Sequence, residues 1–214
     1  MTAVTDAYLS LAASAVDLLA RPVVAESWDR PSALADFSVG GLAAHLALQI
    51  TRVPGVLAAA PPPSSVELLS TDEHYARSRW VSAPHDSEAN AGIRATAGDK
   101  AAAGPAEILA EARAALAELR STLPGETPAR PVFLSWAGWS LTVEGYLHTR
   151  CLEILVHSDD LAQSIGAETP EVPAGAARAV IDTLVTLTLR QHGVTAVLRA
   201  LSRRERAPRS IAAI

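Results

Sequence analysis

Apolar residues return every three or four positions along most of this chain, the period of helices that bury one face. Over residues 5–20 that face is Tyr8, Leu9, Leu11, Ala12, Val16, Leu18 and Leu19, and Arg21-Pro22 ends it. Ser38 is placed to cap a second helix, from Val39 to about Ala58, with Leu42, Leu46, Ile50, Val53 and Leu57 inward and Pro54 bending or ending it. Gly104-Pro105 opens a third helix to about Leu123, with Ile108, Leu109, Ala112, Leu116 and Leu119 inward. A fourth covers Gly145–Ser164, and Ile165-Gly166 marks its end. Another runs from about Pro173 to His192 on Ala177, Val180, Ile181, Leu184, Leu187 and Thr188; Gly193 breaks it, leaving Val194–Leu201 as a short amphipathic segment.

Between the helices the signals are weaker. Residues 26–38 form a loop that Trp28, Leu34 and Phe37 pack down, and the proline-rich run 59–70 is a connector. A short helix carrying His74, Tyr75 and Trp80 is expected over 71–81. Residues 82–104 hold Gly, Ala, Ser and Asp without an apolar period and read as a long loop, with His85 exposed in it. Residues 128–141 are irregular in pattern; Trp136 and Trp139 either roof a cavity or fill core. The pattern thus predicts an all-α protein, with a helical bundle over 1–192 and a helical extension and basic tail over 193–214.

The fourth helix departs from simple amphipathicity. Tyr146, Arg150, Glu153, His157, Asp160 and Ser164 follow a 4-3-4-3-4 spacing and share one stripe. Leu147, Cys151, Ile154, Leu155, Val156 and Leu161 flank it. A polar stripe between apolar flanks lines an interior site, where unpaired charges are costly and a metal or partner is needed. Glu153 and His157, one turn apart, can reach a common ion. His148, Asp159 and Glu144 project from nearly the opposite side and read as a solvated edge. On the second helix His45 lies beside the core face, with Gln49 and Arg52 one and two turns on. Facing helices can thereby offer two histidines and a carboxylate, the three protein ligands of a catalytic zinc site with a fourth position open.

Composition narrows the setting. The chain of 214 residues is aliphatic, and its net charge of −5 gives no general attraction to nucleic acid or anionic lipid. The lone Cys151 excludes an internal disulfide framework, suits a reducing cytoplasm and reads as a small buried hydrophobe. No secretory leader or membrane span is evident, so a cytoplasmic location is expected. The four arginines of the 202–209 tail read as solvated.

Two stretches together carry a family resemblance: Asp36-Phe-Ser-Val-Gly-Gly-Leu-Ala-Ala-His-Leu46, and Tyr146 with Arg150, Glu153, His157 and Asp160-Leu-Ala. They resemble the DinB-like metalloproteins, and most of all the metal-binding domain of the mycothiol-dependent maleylpyruvate isomerases. The resemblance implies a four-helix bundle, His45, Glu153 and His157 as ligands of a divalent metal, usually zinc, and mycothiol as co-substrate. Arg150 is then expected to pair with a carboxylate or to steady Glu153, and Asp160 to fix the tautomer of a ligand histidine. Two-domain members carry a further C-terminal domain, and the roughly two dozen residues after His192 are too few for one. That favours a thiol-conjugating transferase over maleylpyruvate isomerisation, acting as monomer or homodimer on a small-molecule thiol and an electrophile. Two alternatives have the same residues: a two-histidine, one-carboxylate iron enzyme, and a stress-linked binding protein without catalysis.

Overall fold

The computed structural model describes residues 2–83 and 86–213; the expected exposed position of His85 lies outside the described residues. Four long helices form the bundle: α1 (Ala3–Leu19), α3 (Val39–Ala58), α7 (Pro105–Thr122) and α8 (Val143–Ser164). Each of α1 and α3 packs against both α7 and α8, so the four close around one core. Tyr8, Leu18, Leu42, Leu46, Ile50, Leu119 and Leu147 are fully buried in it. Among the described residues the chain is all-α apart from one small hairpin. No helix among the described residues is long and apolar enough to cross a membrane.

Both site-bearing helices are locally well specified. The Ser38 hydroxyl accepts from Gly41 N at 3.0 Å and caps α3, while Thr142 caps α8 through Gly145 N at 3.0 Å. Pro54 sits inside α3 without ending it. The 26–38 loop, which follows the short helix α2 (Pro22–Glu26), is packed as expected. Trp28 donates from its indole to Ala101 O and lies so close to Gly40 that a Cβ there would meet its ring at 2.5 Å.

Several weak segments differ from the sequence pattern. Residues 71–81 hold two short helices, α4 (Thr71–Arg77) and α5 (Arg79–Ser82), divided at Ser78. The expected loop over 82–104 is largely a helix, α6 (Glu88–Ala101), capped by Ser87. It lacks an apolar period because only Ala97 and Ala101 are buried against the bundle; alanine's helix propensity and contact with α3 are enough. Residues 128–141 contain an antiparallel hairpin, β1 (Pro131–Leu134) with β2 (Trp139–Thr142), in the register Val132 to Leu141. Four-residue strands are too short to register as an alternation.

Past α8, Gly166 turns the chain at φ 65°. The last helix, α9 (Ala174–Ser202), lies along α8, α1 and α4 and is interrupted at Gly193, where φ is 77°. Val180 and Leu187 face inward, but Ile181, expected on that face, is 54% exposed. The face of α9 is set instead by Ala176, Val180, Thr183 and Leu187. The tail's arginines are exposed as expected, yet the chain returns: Ile211 O accepts from the Thr188 hydroxyl, and His192 Nε2 lies 2.9 Å from Ala212 O.

Candidate metal centre

Helices α3 and α8 lie with their polar stripes opposed, and the pairings follow an antiparallel register. His45 faces His157, their rings meeting edge to face with centroids 4.7 Å apart. One turn on, the Gln49 side chain accepts a short hydrogen bond from Arg150 Nη1. Gln49 in turn donates to His45 O at 2.9 Å, so the amide is held at both ends. Glu153 lies between Arg150 and His157 on α8 and is buried.

The ligand atoms of His45, Glu153 and His157 converge within 4.8 Å of one another. His157 Nε2 and Glu153 Oε2 are 3.3 Å apart. Ligands of a tetrahedral zinc ion stand roughly 3.3 Å apart when each bond is about 2.0–2.1 Å. Two imidazoles and a carboxylate within 4.8 Å of one another are a donor set that fits a small divalent ion.

The electrostatics suit the same use. Burial and the neighbouring His157 lower His45 to about 3, so it is a neutral imidazole with a lone pair to give. Burial opposes the Glu153 charge, but its hydrogen bond to His157 and the Arg150 charge outweigh that and hold it at about 2. His157 is the mirror case: burial disfavours its proton, while Asp160 and Glu153 retain it and raise it to about 9. Asp160 Oδ2 lies 3.1 Å from His157 Nδ1, which leaves Nε2 toward Glu153 and His45. A carboxylate on the far nitrogen fixes tautomer and ring orientation in metal-binding histidines.

Helical spacing aligns Arg150, Glu153, His157 and Asp160 and the family resemblance adds His45; the structure brings His45, Glu153 and His157 together, with Asp160 on His157 and Arg150 acting on Glu153. Arg150 makes its contacts with Gln49 and with Thr149 Oγ1 at 3.1 Å, beside Glu153 rather than paired to it. Ser164, last on the stripe, lies outside the cluster: it accepts from Ala33 N and ties down the loop before α3. His148 is not the solvated residue its phase suggests. Helix α9 covers it, and its Nε2 lies 2.7 Å from the Thr183 hydroxyl. Cys151 is buried, and burial pushes its thiol up to about 12, an inert group.

Two neighbours escape sequence reasoning. Tyr75, fully buried on α4, donates toward the second Glu153 oxygen at 3.4 Å and lies 3.3 Å from Thr149 O. Beside it, His74 Nδ1 accepts from the Trp139 indole at 3.1 Å, so Trp139 anchors a histidine rather than roofing the site. No local period points α4 at α8, and only the folded chain joins them.

A helical bundle with two imidazoles and a carboxylate converging from facing helices defines a metal-centre class of protein. The comparison with family models makes this specific: residues 9–162 match the mycothiol maleylpyruvate isomerase N-terminal domain, and the chain belongs to that family of mycothiol-related, metal-binding domains. Neither the curated proteins nor the solved structures gave a match. The matched stretch contains all five site residues and stops before α9.

Proposed function

We propose that this protein is a metal-dependent enzyme that activates a low-molecular-weight thiol, mycothiol, for attack on an electrophilic small molecule. The observation that carries the reading is the meeting of His45, Glu153 and His157 within 4.8 Å, with Asp160 behind His157. A divalent ion held there, zinc by preference for this donor set, supplies the Lewis acidity that lets a thiol ionise near neutral pH.

The chain's own residues do the rest. His45 arrives neutral and Glu153 ionised, so two of the three ligands need lose no proton at pH 7. His157 gives up its Nε2 proton while Asp160 keeps its Nδ1 proton in place. Arg150, clamped by Gln49 and Thr149, fixes a positive charge beside Glu153 and keeps that ligand ionised. Addition of the thiolate sulfur to an activated carbon, with a solvent proton taken up at the neighbouring carbon, gives a thioether. Expulsion of the thiolate after bond rotation gives an isomerised alkene instead. The first outcome is transferase chemistry and the second isomerase chemistry.

The test is metal-dependent conjugation. Protein reloaded with zinc, incubated with mycothiol and a chlorobimane electrophile, is expected to form the bimane thioether above the uncatalysed rate, and chelation to remove the gain. Absence of conjugate across a panel of electrophiles would favour a binding protein. Iron in protein purified without chelator, together with oxygen-dependent turnover, would favour the iron enzyme.

A further inference from the structure

Beyond Gln49 and Arg150, the opposed stripes of α3 and α8 continue to a second polar pair, Arg52 and Tyr146. Neither has a partner in keeping with its burial. The Tyr146 hydroxyl is buried without any hydrogen-bond partner among the described residues. A buried donor left unmet loses its hydration without replacement, which favours a site that supplies an acceptor. Arg52 is half-buried, and its guanidinium carbon lies over the exposed Trp136 ring at 4.8 Å from the centroid. Among the described residues it has no ion pair and no hydrogen bond. The guanidinium of Arg150 lies 5.4 Å from the Tyr146 ring centroid, so a second cation reaches the same place.

Arg150 has Glu153 beside it, but no carboxylate acts on Arg52, and the Arg150 charge opposes that of Arg52. The groups acting on Arg52 are its own burial, Tyr146 and Arg150, with no acid among them. Those acting on Tyr146, besides burial, are Arg150 and Arg52. Charges this close, partly out of water, are retained where an anion completes the set. A guanidinium held over an aromatic ring can still present the N–H groups of its edge, which bind an oxyanion in two-point fashion.

We propose that Arg52 and Tyr146, backed by Arg150, form an oxyanion-binding subsite that seats a carboxylate or phosphate group of the small-molecule substrate. This rests on the reading of the α3–α8 metal centre as the place where substrate reacts. Arg52 is seven residues from His45 on α3, about 10 Å along the helix at 1.5 Å per residue. The site therefore selects an electrophile with an anionic group at one end and its reactive carbon within about 10 Å of it. An anion at Arg52 offsets its charge and offers the Tyr146 hydroxyl an acceptor.

The experiment needs neither thiol nor turnover. In the ¹⁵N-labelled full chain, with and without zinc, the arginine Nε–H resonances are followed during titration with acetate, succinate and methyl phosphate. Saturable shifts of the Arg52 and Arg150 signals are expected. Arg52→Gln should weaken binding by about tenfold or more, and Tyr146→Phe by a smaller factor of roughly three to ten. Both variants should still take up zinc stoichiometrically, which shows that the bundle is folded. A preference for the carboxylates or for methyl phosphate identifies which oxyanion the seat takes. Absence of saturable shifts, or shifts unchanged in Arg52→Gln, overturns the subsite and leaves the thiol reading intact. Anion binding without any mycothiol conjugate leaves the subsite standing and overturns only the enzyme.

Discussion

His45 and His157 touch edge to face at 4.7 Å, although they come from different helices. Two imidazoles in such contact are not both cationic. The surroundings divide the roles: His45 falls to about 3 through burial and the charge of His157. His157 rises to about 9 because Asp160 and Glu153 outweigh its burial. One proton thus occupies the space between His157 and Glu153, and a divalent ion would replace it.

The first prediction concerns the ligands. Glu153→Ala and His157→Ala should each abolish stoichiometric zinc binding, measured by metal analysis after gel filtration, while far-ultraviolet circular dichroism stays helical. His148→Ala should keep its zinc, because His148 is bound to Thr183 on the opposite side of α8. Zinc loss in that variant would show that His148, not His157, holds the metal.

A second follows from the His157 proton. Binding must expel it, so zinc affinity should rise about tenfold per pH unit up to about pH 9 and then level off. His45 and Glu153, at about 3 and 2, add no further proton above pH 4. Calorimetry in two buffers of different ionisation enthalpy should therefore find close to one proton released per ion at pH 7. Release of none would contradict the raised His157.

The metal-free protein should be most heat-stable near pH 6.5. His157 has a raised pKa in the folded state, so its contribution is complete below the unfolded value of about 6.5 and lost as pH climbs to about 9. His45 and His74 have lowered pKa values, about 3 and 4, so theirs is present above about 6.5 and lost as pH falls. Burial is the main cause for both. Scanning calorimetry across pH 4–9 would test this, and a midpoint rising steadily with pH would contradict it.

Asp160 acts through His157. Asp160→Asn should retain one zinc site but weaken it by roughly 10–100-fold, the usual effect of removing a carboxylate behind a ligand histidine. Competition with a fluorescent chelator reads this directly. An unchanged affinity would show that the 3.1 Å contact contributes nothing to binding.

Gly40→Ala should destabilise the fold by about 1–3 kcal/mol, the range for forced overpacking. The added Cβ would stand 2.5 Å from the Trp28 ring, which is itself held by Ala101 O. Urea unfolding would measure the loss. A neutral result would mean that Trp28 moves aside without cost.

The bundle helices and the polar stripe were legible for one reason: long helices repeat their environment every turn, and the repeat survives in the order of residues. Tyr146, Arg150, Glu153, His157 and Asp160 could be aligned before any fold was known. The pieces that went unread were short or flat. Helix α6 buries only alanines, and the hairpin strands are four residues each, so neither leaves a period. Ile181 was assigned inward by spacing alone, but α9 turns a different edge to α8.

Sequence by itself determined which residues share a side of each helix, because that depends only on 3.6 residues per turn. It also carried the two stretches that mark the family. Only tertiary structure decided what those sides meet: His45 against His157, Tyr75 against Glu153, Thr183 over His148, and Arg52 beside an unsatisfied Tyr146. Such pairings depend on the rotation and register of one helix against another. Those are set by the packing of the whole core and leave no mark in the spacing of a single segment.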